Sequence, residues 1–459
     1  LYKENLEEFT RLAGPDHPET LASRHRLAGA YRDAGRLDEA IALNQENLEE
    51  FTRLAGPDHP HTLSARNQLA GINREAGRLD EAIRLFEQNL ADVARTLGLD
   101  HPETLASRHS LAGAYRDAGR LDEAIPLFEQ NLAEFIRILG PDRPDTFTSR
   151  STLAGAYQAA GRLDEAIPLF EQNLEDRTRT LGPAHPVTLT SRDNLAGAYQ
   201  EAGRLDEAIP LYEQTLEDSI RVLGPQDPRT LTSRDHLAGT YREAGRLDEA
   251  IRLFEQNLAD FARLAGPDHL DTLTSRGNLA NAYQAAGRLD QAIALFERNL
   301  TDFIRVLGPA HPETLAWRDS LAGAYQAAGR LNEAIALFER NLTDFIRVLG
   351  PAHPETLASR GNLAGAYQAA GRLDRAIPLL QQNLEDRSRI LGPDHRDTLA
   401  SRNNLAGAYQ AAGRIDQAIP LLQQTLDESA RILGPHHPRT LTSRNNLAGA
   451  YQAAGRLHE

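Results

Sequence analysis

The chain is 459 residues long, 41% hydrophobic and 25% charged, with only 6% aromatic residues. Its 65 acidic against 50 basic residues give a formal charge of -15, so no overall basic field attracts phosphate backbones or anionic lipid, and no run of 18 apolar residues is available to span a bilayer. Cysteine is absent, which removes disulfides, thiol nucleophiles and cysteine zinc sites, and every basic residue except Lys3 is arginine, which leaves essentially no P-loop or Schiff-base lysine.

A glycine recurs every 42 residues from Gly35, Gly77 and Gly119 to Gly455 without insertion or deletion. In chain order this period predicts a partial repeat over 1–17 with a second helix only, ten complete repeats over 18–437, and a partial repeat over 438–459 with a first helix only. The copy from Pro102 to Pro144 shows the grammar. A first helix opens near Pro102, where a missing N–H is tolerated, and carries Leu105, Leu111, Ala112 and Tyr115 on one face. Gly119 permits a left-handed turn, Asp122 is expected to cap the second helix, and Pro126 is placed in its first turn. The second apolar stripe is Ala124, Ile125, Phe128, Leu132, Phe135, Ile136 and Leu139, ended by Gly140-Pro141. Neither helix buries its stripe alone, so the pairs must stack into an all-α two-layer solenoid.

The residues Leu111 to Tyr115 (Leu-Ala-Gly-Ala-Tyr), Ala118-Gly119-Arg120-Leu121, Glu123-Ala124, Leu127-Phe128 and Leu132 resemble the tetratricopeptide repeat signature, recurring about eleven times. The 42-residue length and Leu-Gly-Pro-x-His-Pro between helix pairs, as in Leu181 to Pro186, are similar to the kinesin light chain class of these repeats. The resemblance implies a right-handed superhelix, a protein or extended peptide held on the concave face lined by first helices, no enzymatic activity and no cofactor. The coiled-coil heptads of kinesin light chains are absent, so cargo transport does not carry over. Arginine-rich, lysine-poor usage suggests a high-GC bacterial source, where similar arrays form the sensor half of larger regulators.

By the same comparison the groove is lined by the position before the Leu-Ala-Gly-Ala-Tyr block, the glycine inside it and the position after its tyrosine. The first of these includes Asn67, His109, Asp193, Asp235, Asp319, Asn403 and Asn445, with Gly277 and Gly361 among them. Such variation on a constant scaffold is what a ligand-reading surface shows, and drift on a solvated face gives the same pattern. The position after the tyrosine changes from Arg74 and Arg116 through Gln158, Gln200 and Arg242 to Gln284, Gln326, Gln368 and Gln410. A charged N-terminal stretch and an amide-lined C-terminal stretch follow, with glycines such as Gly365 and Gly407 leaving room for a peptide backbone. Asn281 interrupts the glycine row and narrows the groove there.

Other rows read as structural. Arg24, Arg66, Arg108, Arg150 and their successors repeat in phase with Glu50, Asp92, Glu134 and Asp176, which favours ion pairing over a phosphate-binding ladder. Asn89, Asn131, Asn173, Asn257, Asn299, Asn341 and Asn383, with Thr215 and Thr425, are expected as hydrogen-bonded spacers between repeats. His17, His59, His101, His185, His269, His311, His353 and His395 recur in loops, replaced by Arg143 and Asp227 in two copies; their spacing suits loop packing or helix capping rather than a shared metal, and the pair His436-His437 alone defines no site. Trp317 reads as a neutral substitution for serine or an exposed contact point.

No dinucleotide, Walker, His-Glu-x-x-His, EF-hand or Gly-x-Ser-x-Gly motif occurs. The expected function is a non-enzymatic binding scaffold that uses neither nucleic acid nor membrane. The alternative is a structural protein that self-associates head to tail through uncapped repeat ends. Lack of methionine and of a signal peptide suggests an internal segment of a longer, cytoplasmic protein.

Overall fold

The computed structural model describes residues 1–435 and 437–456. Two compact units are present, Leu1–Ser233 and Arg234–Glu459. Among the described residues the chain is helix and turn throughout, with no strand. The first unit contains α1 (Tyr2–Ala13), α2 (Pro18–Asp33), α3 (Leu37–Ala55), α4 (Pro60–Glu75), α5 (Leu79–Leu97) and α6 (Pro102–Asp117). It continues with α7 (Leu121–Leu139), α8 (Pro144–Ala159), α9 (Leu163–Leu181), α10 (Pro186–Glu201) and α11 (Leu205–Leu223). The division between units falls inside α12 (Pro228–Glu243). The second unit then holds α13 (Leu247–Leu264), α14 (Leu270–Ala285), α15 (Leu289–Leu307), α16 (Pro312–Ala327) and α17 (Leu331–Leu349). Its last helices are α18 (Pro354–Ala369), α19 (Leu373–Leu391), α20 (Arg396–Ala411), α21 (Ile415–Leu433) and α22 (Pro438–Ala453).

The turn chemistry explains the boundaries. His101 caps α6, its Nδ1 accepting the Glu103 N–H at 3.2 Å, with Pro102 at the first helical position. His17, His59, His185, His269, His311, His353, His395 and His437 do the same, so the histidine row is a capping row. Asp227 keeps the function through its carboxylate, which accepts the Arg229 N–H at 2.9 Å, whereas Arg143 makes no side-chain cap. His436 lies outside the described residues. After α6 the chain reverses at Gly119, whose φ of 72° suits glycine, while the Arg120 N–H bonds back to the Tyr115 carbonyl at 2.8 Å. Two details differ from the sequence reading. Arg120, not Asp122, is the N-cap residue of α7, and it makes no side-chain cap; its guanidinium instead lies over the Tyr115 ring and pairs with Glu123. Pro126 lies inside α7, beyond its first turn.

Within each unit consecutive helices pack side by side, and first helices also touch the next first helix, as α4 touches α6 and α14 touches α16. Leu105, Leu111, Ala112 and Tyr115 of α6 are buried, as are Ala124, Ile125, Phe128 and Leu132 of α7, the helix packed against it. At ~1.5–3 kcal/mol for each large apolar side chain removed from water, this layer dominates the stability of the stack. In the second unit Phe296, Leu321, Tyr325, Ile335, Phe338 and Tyr367 belong to one such core. Ile136 and Leu139, placed in the buried stripe by periodicity, are 40% and 39% exposed, and Leu139 lines an open cleft instead of the core.

The first helices from α2 to α20 also carry a buried arginine, whereas Arg444 of α22 is exposed. Arg150 is 1% exposed and its Nη1 lies 2.7 Å from Asp176; Arg318 binds Asp344 at 2.7 Å and the Pro309 carbonyl at 3.1 Å. The expected ion-pair rows are therefore present, but one member is desolvated, which makes them structural struts and leaves no arginine ladder open to phosphate. The pairing shifts at two positions: Arg24 meets Glu46 rather than Glu50, and Arg108 donates to Asn131 while Glu134 pairs with Arg137. A second tie was not read from sequence. Thr104 and Thr146, fully buried, donate to the carbonyls of Gly98 and Gly140, which locks the loop onto the start of the next helix.

Candidate functional site

The position after each tyrosine lies on the surface of the first helices, and its chemistry differs between the units. In the first unit these side chains have partners within the chain, some in the following repeat and some in their own. Arg74 pairs with Asp117 at 2.5 Å and covers Gly113, where an added Cβ would meet the guanidinium at 3.2 Å. Arg116 also reaches Asp117, and Gln158 donates to Glu201 at 2.8 Å. Gln200 is engaged as well, its carbonyl accepting from Tyr212 at 3.4 Å. In the second unit alanine replaces the acidic neighbour, as at Ala285, Ala327, Ala369 and Ala411. There the half-buried side chains of Gln284, Gln326, Gln368 and Gln410 make no hydrogen bond among the described residues. Beside them Gly323, Gly365 and Gly407 face open space, with nothing within 4 Å of the point where a Cβ would stand. Asn281 occupies the corresponding site on α14 and is half-buried, as is Arg242 on α12.

The position before the Leu-Ala-Gly-Ala-Tyr block lies deeper than a groove-lining surface where it carries Asp235 or Asp319, at the joint between consecutive first helices, and is exposed where it carries His109 or Asn445. Asp319 on α16 accepts from Asn341 of α17 at 2.6 Å, and from Ser359 and Asn362 of α18 at 3.3 and 3.0 Å. Asp235 accepts from Asn278 in the same way. Burial pushes both carboxyls above the ordinary carboxylate range, against the opposing effect of the amide donors. Asp193 is half-buried on α10, and Asn445 is exposed on α22.

Where this position carries other side chains, a cleft opens between first helices and is floored by the second helix. The α6/α8 cleft is a cavity of about 590 Å³ lined by Leu105, His109, Phe135, Ile138, Asp145 and Ser149 among others. Desolvation, helped by Arg116 and Arg74, lowers the His109 pKa, and its ring meets Phe128 edge-on. The same cleft recurs at α2/α4 with about 470 Å³, at α4/α6 beside Asn67 with about 220 Å³, and at α20/α22 beside Asn403 with about 380 Å³.

Trp317 closes the equivalent cleft between α14 and α16. Its indole stacks on Phe303, with centroids 5.9 Å apart and planes 24° apart, and occupies the space above Gly277, where a Cβ would lie 1.9 Å from the ring. Trp317 is thus neither a neutral replacement for serine nor a projecting contact point. Gly277 in turn leaves Asn299 without the neighbour that Asp319 provides to Asn341, and both polar atoms of the fully buried Asn299 amide are unpartnered. The asparagine row therefore ties first to second helix within a repeat, as Asn131 does to the Leu105 carbonyl at 2.9 Å, and its satisfaction varies from copy to copy.

Among the described residues no group of three or more histidine, cysteine, aspartate or glutamate side chains could hold a metal ion, and no helix is long and apolar enough to cross a membrane. A constant helix-pair core bearing a varied first-helix face defines a helical-repeat array. The chain belongs to the tetratricopeptide repeat family, whose profile matches in overlapping windows from 1–46 and 19–91 through to 402–459. It is 38% identical to solved kinesin light chain TPR-like repeats from Podosopora anserina, over 44% of this chain and 95% of that one, with a TM-score of 0.40. It is 23% identical to BtubC (BKLC) from P. vanneervenii, over 55% of this chain and 94% of that one, with a TM-score of 0.41. No curated relative matches at a significant level.

Proposed function

We propose that this array is a non-catalytic scaffold that holds a protein or an extended peptide against the first-helix face of its second unit. The family supplies the general role, since tetratricopeptide repeats are commonly protein-interaction modules. The observation that carries the particular reading is the row Gln326, Gln368 and Gln410. These amides have no partner within the described chain and stand beside glycines that leave the helix backbone uncovered. Amide side chains satisfy both donors and acceptors of a peptide backbone, and uncovered glycines let that backbone approach closely. The tied arginines and glutamines of the first unit already have their partners, which makes them the weaker contact surface.

Affinity capture from source lysate tests this with the full chain beside a Gln326→Glu, Gln368→Glu, Gln410→Glu variant. The reading predicts a partner held by the original and lost by the variant, with helicity unchanged. Equal retention by both proteins would refute recognition through the glutamine row.

A further inference from the structure

The floor of the recurring cleft is one register position of the second helix, occupied by Phe51, Val93, Phe135, Phe303, Phe345 and Ser429 in the copies whose clefts are open or visibly closed. In some copies the chain itself lays a ring or a polar network over a phenylalanine at this position. His61 stacks on Phe51 with centroids 5.6 Å and planes 29° apart, and Trp317 stacks on Phe303 at 5.9 Å and 24°. Phe303 is left 0% exposed. At Phe345 the buried Asp319 network bridges α16 and α18 and the ring is 2% exposed.

Phe135 has no such cover. The residue in the place of Trp317 is Ser149, and the residue in the place of His61 is Asp145, so neither supplies a ring. His109 turns its ring to Phe128 instead, at 5.6 Å and 66°. Phe135 is half-buried, as are Phe51 and Phe261, and what sets it apart is the cleft above it, which at about 590 Å³ is roomier than those at α2/α4, α4/α6 and α20/α22. We propose that the α6/α8 cleft binds a planar aromatic small molecule of one or two fused rings, which lies on Phe135 as the Trp317 indole lies on Phe303. The volume falls within the range of small-molecule sites, the walls Leu105, Ile138 and Leu139 are apolar, and a few polar groups, His109, Asp145 and Ser149, stand around it to orient a substituent. Offset stacking of two rings is the geometry aromatic pairs prefer. The closed copy shows that one indole is enough to seal such a cleft.

This site lies in the first unit and does not depend on peptide recognition by the glutamine row in the second, so either proposal can fail alone. The test titrates the full chain with free indole, followed by saturation-transfer NMR and calorimetry. A His109→Gly, Ser149→Trp variant transplants the Gly277–Trp317 arrangement and, having a precedent in the same chain, should keep its helical circular dichroism. A second variant, Phe135→Ser, installs the floor residue of α21. Saturable binding by the wild type, weakened at least tenfold by both variants, is the expected result. Absence of binding up to the solubility of indole, or unchanged affinity in the grafted variant, would overturn the proposal. So would binding of aromatic residues only when they are carried by a peptide.

Discussion

Gly277→Ala is a small substitution whose effect should change sign with its neighbour. A Cβ at Gly277 would lie 1.9, 2.2 and 2.6 Å from three atoms of the Trp317 ring. Carbon atoms rest at roughly 3.5–4.0 Å, so the indole must move by more than 1 Å, and Phe303 beneath it blocks retreat into the core. Overpacking of this kind costs about 1–3 kcal/mol, and displaced stacking adds ~0.5–1.5 kcal/mol. Against this, alanine is favoured over glycine inside a helix by roughly 0.5–1 kcal/mol. Gly277→Ala should therefore destabilise the second unit by about 1–3 kcal/mol and red-shift the fluorescence of the protein's single tryptophan. In a Trp317→Ser background the clash is gone, and the same substitution should stabilise by about 0.5–1 kcal/mol, the helix-propensity gain alone. Urea unfolding followed by circular dichroism closes the double-mutant cycle, with a coupling of about 2–4 kcal/mol from the clash and stacking contributions. Equal effects in the two backgrounds, or an unshifted emission spectrum, would refute the account of Trp317 as an internal plug.

Asn299→Leu should raise stability by about 1 kcal/mol, because it removes a buried amide with no partner, whereas Asn341→Leu should lower it by about 1–3 kcal/mol by taking a donor from the half-buried Asp319 and from the Leu315 carbonyl; thermal unfolding distinguishes the two. Arg143→Asn supplies the missing cap of α8 and should stabilise by about 0.5–1 kcal/mol, which a shift in urea midpoint would show and an unchanged midpoint would exclude. Burial, reinforced by donation to Glu87, Glu129, Glu171 and Glu297, pushes the phenols of Tyr115, Tyr157, Tyr199 and Tyr325 up to about 12. Since an unfolded tyrosine ionises near pH ~10, the contribution of these groups is complete below that pH and is lost as pH rises toward the folded value. Ultraviolet titration should find these phenols ionising late, and stability should fall across that window; ionisation near pH ~10 in the folded protein would contradict the assignment.

The sequence made the helix pairs legible because its punctuation is local. Pro102 and Gly119 mark the start and end of α6 by backbone preference alone, and the capping role of the histidine row was among the readings its spacing allowed. Burial was harder to read. A row of arginines in phase with acids announces pairing, but nothing local shows that Arg150 is 1% exposed, since arginine usually keeps its head in water. Likewise periodicity assigned Ile136 and Leu139 to the core because they continue the stripe, while their exposure depends on the packing of other helices around that turn. Trp317 could not be understood from its own position, because the glycine that admits it lies in the preceding repeat. Of the candidate groove residues, Gln326, Gln368 and Gln410 lie on the first-helix surface, but Asp235 and Asp319 turn inward to join helices, and His109, Asn67 and Asn403 line clefts. A signal for the inward turn was present in Asn278 and Asn362, which follow these aspartates by 43 residues.

The most direct test of the proposed role is site-specific photocrosslinking of the captured partner. A benzophenone side chain placed at Gln368, on the first-helix face of α18, is compared with one at the exposed Gln382 of α19. The account predicts a covalent adduct from position 368 and none from position 382. Adducts from 382 alone would place the partner on the second helices and contradict recognition by the first-helix face.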